Sequence, residues 1–371
     1  GEVPGLRLYH YNSADGCIRT SMRLASTVIP HVLGRIDFWV FFFFHLAVFT
    51  LYNAGLLDAA GIPTNHLSMD WNDVRVVTAI TSFFEVFYTN QCYKRYLYLY
   101  VESRHMLGCM RDYCFSLQLL IGQSSPEHVW LAARYALLSV TLCFGELTEI
   151  LVDEDWDELL ERNLVTVTER DLLQKLSHVN RRNRLLQWSA DVARLGMKKQ
   201  NVPPTHIKDL VVKMERMFGH QQKVMDCASL PVPFQYFHLL SVMIVINLFV
   251  WAYGMAITKS IFAPLVYWFS ALVFMGMLVL GSQLSNPFGD DDVDFPVSHW
   301  LVEYTDICGS MLDNSAPGPA SDWDTSFKAL FKFKFEPMES FDAEDESSDE
   351  STGRDESAGR SLIPFARWEP R

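Results

Sequence analysis

The sequence predicts an all-α, multi-pass membrane protein with four transmembrane helices and a large helical domain on one side of the bilayer. Three observations carry that expectation. Apolar runs at about 38–57, 234–256 and 262–284 have the length of a span, roughly 20 residues for a 30 Å hydrocarbon core, and a shorter run lies at 74–88. Between the second and third runs, residues 92–230 show helical periodicity with charged faces. Lys and Arg are scarce in the hairpins 58–73 and 257–261. That charge pattern places both hairpins on one side, and both termini and the 92–230 region on the cytosolic or equivalent side.

Bulk properties agree. The chain has 371 residues, 49% of them hydrophobic, and 26 are Phe, which is heavy for a soluble protein with net charge −13. The acidity is concentrated late: 336–371 holds eleven Asp or Glu against four Arg, a local balance of −7. Seven cysteines, odd in number and without a C-x-x-C pair, indicate neither a disulfide framework nor a zinc site and suit a reducing compartment. No H-E-x-x-H, G-x-S-x-G or paired intramembrane aspartates occur, so an enzyme is not expected, and neither is a nucleic-acid partner. No internal repeat of the secondary-transporter kind is visible. The chain starts at Gly1 without an initiator Met, and its first thirty residues do not resemble a signal peptide.

In order along the chain, residues 1–35 end in a basic, weakly amphipathic stretch with Arg19, Arg23, His31 and Arg35. The first span reads F-W-V-F-F-F-F-H-L-A-V-F-T-L-Y, and its His45 is expected to be a hydrogen-bonded packing residue. The second begins near Val74 and continues helically past Lys94 and Arg95 through Tyr93, Tyr96, Tyr98 and Tyr100. Segment 127–152 is apolar, but Arg134, Glu146 and Glu149 mark it as a helix buried in protein. Segments 168–200 and 204–226 read as amphipathic helices punctuated by Pro203 and Pro204. Two more spans follow, then a short helix at 299–312, and a Ser/Asp/Glu-rich tail over 315–371 that composition marks as disordered.

The stretch N-P-F-G-D-D-D-V-D-F at 286–295 stands at the exit of the last span. Asp290, Asp291, Asp292 and Asp294 repel one another unless a positive charge sits among them. Hard oxygen ligands on a turn suit Ca²⁺, and Pro287 and Gly289 end the helix and free nearby carbonyls. The pattern equally describes a solvated acidic linker, since it lacks the D-x-D-x-D-G ladder of an EF-hand. On the second span Ala79, Phe83 and Phe87 lie at i, i+4 and i+8 on one face. A ring of such side chains shuts a pore by dewetting, and phenyl edges favour anions; ordinary packing produces the same stripe. Glu85 lies about 200° from Phe83 around the helix. It is a functional candidate as an intramembrane charge, with structural pairing to a polar neighbour favoured.

These residues resemble the bestrophin family of anion channels. The acidic stretch with G-S-Q-L before it is the specific match. F-F-E-V-F-Y-T-N-Q-C-Y-K-R-Y, Leu230-Pro231 after M-D-C-A-S, and Gly219-His220 agree with it. The likeness covers about 5–312, and the D-D-D-V-D-F-P-V variant looks most like algal members. The resemblance implies a homopentamer with the second spans around one pore. It further implies a Ca²⁺ clasp in which Asp291 and Asp294 are side-chain ligands and Gln283 and Asn286 give carbonyls. Asp290 and Asp292 add charge, and a neighbouring subunit contributes a carbonyl from about Tyr9–Asn12. Ala79, Phe83 and Phe87 become the pore neck, with Ala79 smaller than the branched residue expected there. Val202 becomes the interior aperture.

The expected organisation is then 1–35 for the clasp's amino-terminal segment, 36–91 for the first two spans with the neck, and 92–230 for the interior helical domain. Residues 231–285 hold the last two spans, 286–314 the clasp and short helix, and 315–371 the acidic tail. The expected function is a calcium-dependent anion channel passing chloride or bicarbonate. A non-conducting calcium-binding scaffold and a constitutively open thylakoid bicarbonate channel are the alternatives. A multi-pass membrane location follows, in a chloroplast thylakoid by the algal likeness or otherwise the plasma membrane. In the tail, F-K-F-K-F (331–335) suits an edge strand or a docking segment, and Ser347, Ser348 and Ser351 suit acid-directed phosphorylation.

Overall fold

The computed structural model describes residues 16–22, 24, 27–55, 69–123, 125–148, 156–161, 163–289, 291 and 293–313. The expectations for Tyr9–Asn12, Asp290, Asp292, the 58–68 loop and the tail with its F-K-F-K-F and serine motifs lie outside them. Within the described residues every regular element is a helix. These are α1 (Cys17–Ser21), α2 (Val28–Leu33), α3 (Ile36–Asn53), α4 (Trp71–Ile121), α5 (Pro126–Leu147) and α6 (Trp156–Glu161). They continue with α7 (Val167–Leu173), α8 (His178–Lys199), α9 (Pro204–Ser229), α10 (Phe234–Ile257), α11 (Ala263–Ser285) and α12 (Val297–Leu312). The chain divides into two compact units, which exchange at 100/101, 226/227 and 295/296.

The first unit holds α1 to α3, α4 up to Tyr100, α10, α11 and the turn that follows it. Its core is Val32, Phe38, Phe41, Tyr88, Leu240, Ile244, Leu248, Tyr267, Ala271 and Phe274, with Cys92, Ala252 and Met275. Some polar side chains inside it meet partners on neighbouring helices, which lowers the cost of burying them. His45 is fully buried, stands 2.8 Å from the Ala252 carbonyl and stacks on Tyr267 at 4.5 Å. Trp251 donates to Thr78 Oγ1, and Thr78 donates to Asn247, at 2.6 and 2.9 Å. Gly281 on α11 sets the closest helix approach. A Cβ there would lie 2.6 Å from the ring of Tyr88, so only glycine lets α11 meet α4 at this point.

The second unit holds residues 101–226 and the helix α12. Helix α5 is the most buried helix of this unit, and several of its polar residues meet matching partners. Arg134 pairs with Glu169 at 2.7 Å and donates to the Leu164 carbonyl, also at 2.7 Å. Tyr135 donates to the same carboxylate at 2.6 Å, and Glu169 closes a capping box with Thr166 at the start of α7. Arg182 of α8 pairs with Glu146 at 3.3 Å, and Ser139 shares hydrogen bonds with Gln221.

Four helices among the described residues are long and apolar enough to cross a membrane: α3, α5, α10 and α11. Helix α5 differs from the others, because 78% of its apolar window is buried within the protein, against 22 to 39% for the rest. That burial and the charged partners above agree with a helix enclosed in protein. The expected second span, the first part of α4, is not among the four. Arg75, Glu85 and a run of Thr, Ser and Asn dilute its hydropathy. The expected helix at 168–200 is broken at 174–177, where Arg181 donates to the carbonyls of Leu173, Gln174 and Leu176 and Ser177 starts a new helix.

Candidate functional site

The acidic stretch folds as a closed turn. Pro287 has no N–H to offer the carbonyl of Gln283 four residues before it, so the ladder of α11 ends with that oxygen without its helical donor. Asn286 leaves helical geometry at φ −130°, ψ 91°. The chain then returns on itself. Phe295 N–H donates to the Pro287 carbonyl at 2.9 Å, and Asp294 N–H donates to the Asp291 carbonyl at 2.9 Å. Asp294 Oδ2 accepts from the Asp291 N–H at 2.6 Å. Gly289 leaves room for this, since a Cβ there would lie 3.0 Å from Asp294 Oδ2. Phe288 and Phe295 are buried beneath the turn and meet edge to face at 5.5 Å. A solvated linker would have no such base.

Helix α4 supports this turn. Tyr96 donates to the Val293 carbonyl at 2.9 Å, and the Phe295 ring lies 4.8 Å from Tyr96 and 5.7 Å from Tyr100. Arg95 donates through Nε to the Ser285 carbonyl at 2.8 Å and through its two Nη atoms to Leu230 and Ala228 at 2.5 and 3.3 Å. A guanidinium therefore caps the last carbonyls of both α9 and α11.

Of the expected ligand positions, Asp291 and Asp294 meet within the turn. Asp294 is half-buried and turned into the loop; Asp291 and Asn286 are exposed, and Gln283 is half-buried at the end of α11. All four offer oxygen, and one carbonyl lacks a helical donor. That donor chemistry fits a hard cation such as Ca²⁺.

The neck stripe is on the same helix. Ala79, Phe83 and Phe87 are exposed in the single chain, Phe83 by 67% and Phe87 by 46%. The opposite face, with Thr81, Glu85, Tyr88 and Cys92, is buried. Phe87 meets Tyr236 edge to face at 6.2 Å, which steadies one side of its ring. Glu85 is 4% exposed and faces away from the stripe, as its helical angle requires. Its Oε1 has no hydrogen-bond partner among the described residues, so the expected polar pairing is not found there. Val202 is half-buried in the link before α9, where its N–H donates to the Met197 carbonyl at 3.1 Å. It stands two residues ahead of the helix whose start it was expected to mark.

One cluster was missed by sequence reasoning. Glu102 and His105 on α4 and His220 on α9 bring three ligand atoms within 4.8 Å of one another. The i, i+3 spacing of the first two was visible, but His220 comes from another helix and only the fold adds it.

Comparison with known proteins agrees with this architecture. A family model described as "Bacterial/Fungal Bestrophin protein" matches residues 13–306. No curated protein matches the chain. A crystal structure of a bacterial bestrophin homologue from Klebsiella pneumoniae is 14% identical with a TM-score of 0.65, covering 74% of this chain and 97% of that one. Two point variants of that homologue give TM-scores of 0.66 and 0.63 at 14% and 15% identity, covering 75% and 76% of this chain and 98% of each of theirs. At such identity the likeness is one of fold. The matching model describes bacterial and fungal members and carries no algal assignment.

Proposed function

The chain belongs to the bestrophin family, and from that premise we propose that it is an anion channel, assembled from five copies and linked to Ca²⁺. The observation that carries this reading is the uncovered stripe of Ala79, Phe83 and Phe87 on a helix whose other face is buried. A helix with a polar-diluted sequence and one bare apolar stripe suits a place beside a water-filled passage better than one facing lipid. In a ring of copies the stripe forms a narrow apolar neck. Closing it requires only that water be excluded, and a small widening admits hydrated chloride or bicarbonate. Phenyl edges carry partial positive charge and favour anions over cations.

Asp291, Asp294 and the carbonyls of Gln283 and Asn286 would hold the Ca²⁺, with a further carbonyl from around Tyr9–Asn12 of a neighbouring copy, while Asp290 and Asp292 add negative charge around it. When bound, the ion supplies the positive charge that lets the carboxylates approach one another. The turn reaches the neck through α4. Tyr96 and Tyr100 hold the turn, and Phe87 lies nine residues before Tyr96 on the same helix, about 14 Å along its axis. An unbroken helix passes a shift at one end to the other, so ion occupancy can bias the neck between closed and open populations. Val202 is assigned to the second constriction by family likeness. A chloroplast thylakoid is the proposed compartment by the algal likeness of the acidic stretch.

Purified protein in liposomes tests this. Anion flux that rises with Ca²⁺ is expected, and the Asp291→Ala/Asp294→Ala pair is expected to lose the dependence on Ca²⁺. Flux absent at every Ca²⁺ level would leave a calcium-binding scaffold as the better reading.

A further inference from the structure

A second site for a cation, of different chemistry, lies in the interior helical unit. Glu102 and His105 share one face of α4 at i and i+3, and α9 brings His220 to them. Glu102 Oε2 stands 2.6 Å from His220 Nδ1 and 3.5 Å from Lys223 Nζ. The His105 and His220 rings are 5.3 Å apart at 62°. We propose that Glu102, His105 and His220 bind a Zn²⁺-class divalent ion, with two imidazoles and one carboxylate as protein ligands and water completing the tetrahedron.

The distances suit that ion. Ligands at 2.0–2.1 Å from a tetrahedral zinc stand roughly 3.4 Å apart, and the three atoms here already lie within 4.8 Å of one another. Small rotations about the side-chain bonds close the set. The carboxylate is ready as a ligand. Burial disfavours its charge, but His220 and then Lys223 outweigh burial and hold Glu102 below the ordinary carboxyl range.

A plain ion pair between Glu102 and His220 does not account for His105, which makes no hydrogen bond among the described residues yet lies within ligand reach. Lys223 is 51% exposed and sits on Glu102 as the charge that a bound metal would replace. Two imidazoles with one carboxylate select zinc over the hard cations that an all-oxygen turn prefers. The site is therefore chemically separate from the acidic turn.

The test titrates Zn²⁺ into the purified full chain in detergent, against a chromophoric chelator, with excess Ca²⁺ present to occupy all-oxygen sites. One Zn²⁺ per subunit is expected. His105→Ala and His220→Ala are each expected to weaken it at least about tenfold. Co²⁺ in its place is expected to give the intense visible band of tetrahedral coordination, and each variant to lose it. Glu102→Gln keeps the side-chain shape and is expected to weaken Zn²⁺ as well, which guards against a histidine variant that fails to fold. Absence of Zn²⁺ binding in the parent chain overturns the proposal. So does binding of equal strength in the folded variants.

Discussion

Asp294 and Asp291 are three residues apart and are held in different ways. Asp294 is half-buried and receives the Asp291 N–H at 2.6 Å, whereas the Asp291 side chain is exposed. Losing Asp294 therefore removes both a charge and the bond that shapes the turn. Asp294→Ala is expected to weaken Ca²⁺ binding more than Asp291→Ala does, as isothermal titration of each single variant would read; equal losses would place the two carboxylates in equivalent roles. Gly281 offers a test of packing. A Cβ there meets the Tyr88 ring at 2.6 Å, and an aromatic ring wedged between helices has little room to yield. Gly281→Val is expected to destabilise the protein by about 1–3 kcal/mol, seen as a lower Tm in detergent. At this scale the sequence was informative about chemistry and silent about contact. The oxygen-rich turn was legible at 286–295 because Pro287 and four aspartates sit together in one stretch. The close approach at Gly281 was not, because its partner is on another helix.

Among the elements, α5 shows how composition alone misleads and how charge corrects it. Its length and hydropathy suit a span, yet Arg134 and Glu146 each find an ionic partner on another helix or its cap. The Arg134–Glu169 pair makes the second unit sensitive to acid. Burial opposes the Glu169 charge, but bonds from Arg134, Tyr135 and the Thr166 N–H outweigh it and hold that carboxyl below its ordinary value of 4.5. The unfolded chain takes up this proton at higher pH than the native chain does. The stabilisation is therefore complete above the ordinary value and is lost as pH falls through the native one. Thermal unfolding between about pH 7 and about pH 3 is expected to show that loss, and Glu169→Gln to be less stable at neutral pH with a shallower acid decline. A parallel pH profile in that variant would show that other carboxylates dominate. For α4, the apolar stripe was legible from i, i+4 spacing, and the burial of the opposite face agrees with it. Phe83→Ala/Phe87→Ala is expected to conduct whether or not Ca²⁺ is present; unaltered gating would place the gate elsewhere. The break at 174–177 was not legible, since Arg181 reaches three carbonyls only after the chain has turned.

At the scale of the whole molecule, an all-helical membrane protein of bestrophin type was legible from apolar run lengths, the charge of the hairpins and the acidic stretch together. The number of copies was not, because a chain carries no direct record of what covers its bare faces. Phe43, Ile246, Phe269 and Val273 are all at least half exposed on α3, α10 and α11, as lipid contact requires. Phe83 is as bare and Phe87 is exposed by 46%, on a less apolar helix. The proposal assigns the first group to lipid and the second to a shared axis. The most direct measurement is the reversal potential of the purified protein in a planar bilayer under a chloride gradient, with Ca²⁺ varied. Currents that reverse near the chloride equilibrium potential and grow with Ca²⁺ are predicted. A bilayer that stays silent, or a reversal that follows the cation instead, would contradict a phenyl-lined passage for anions.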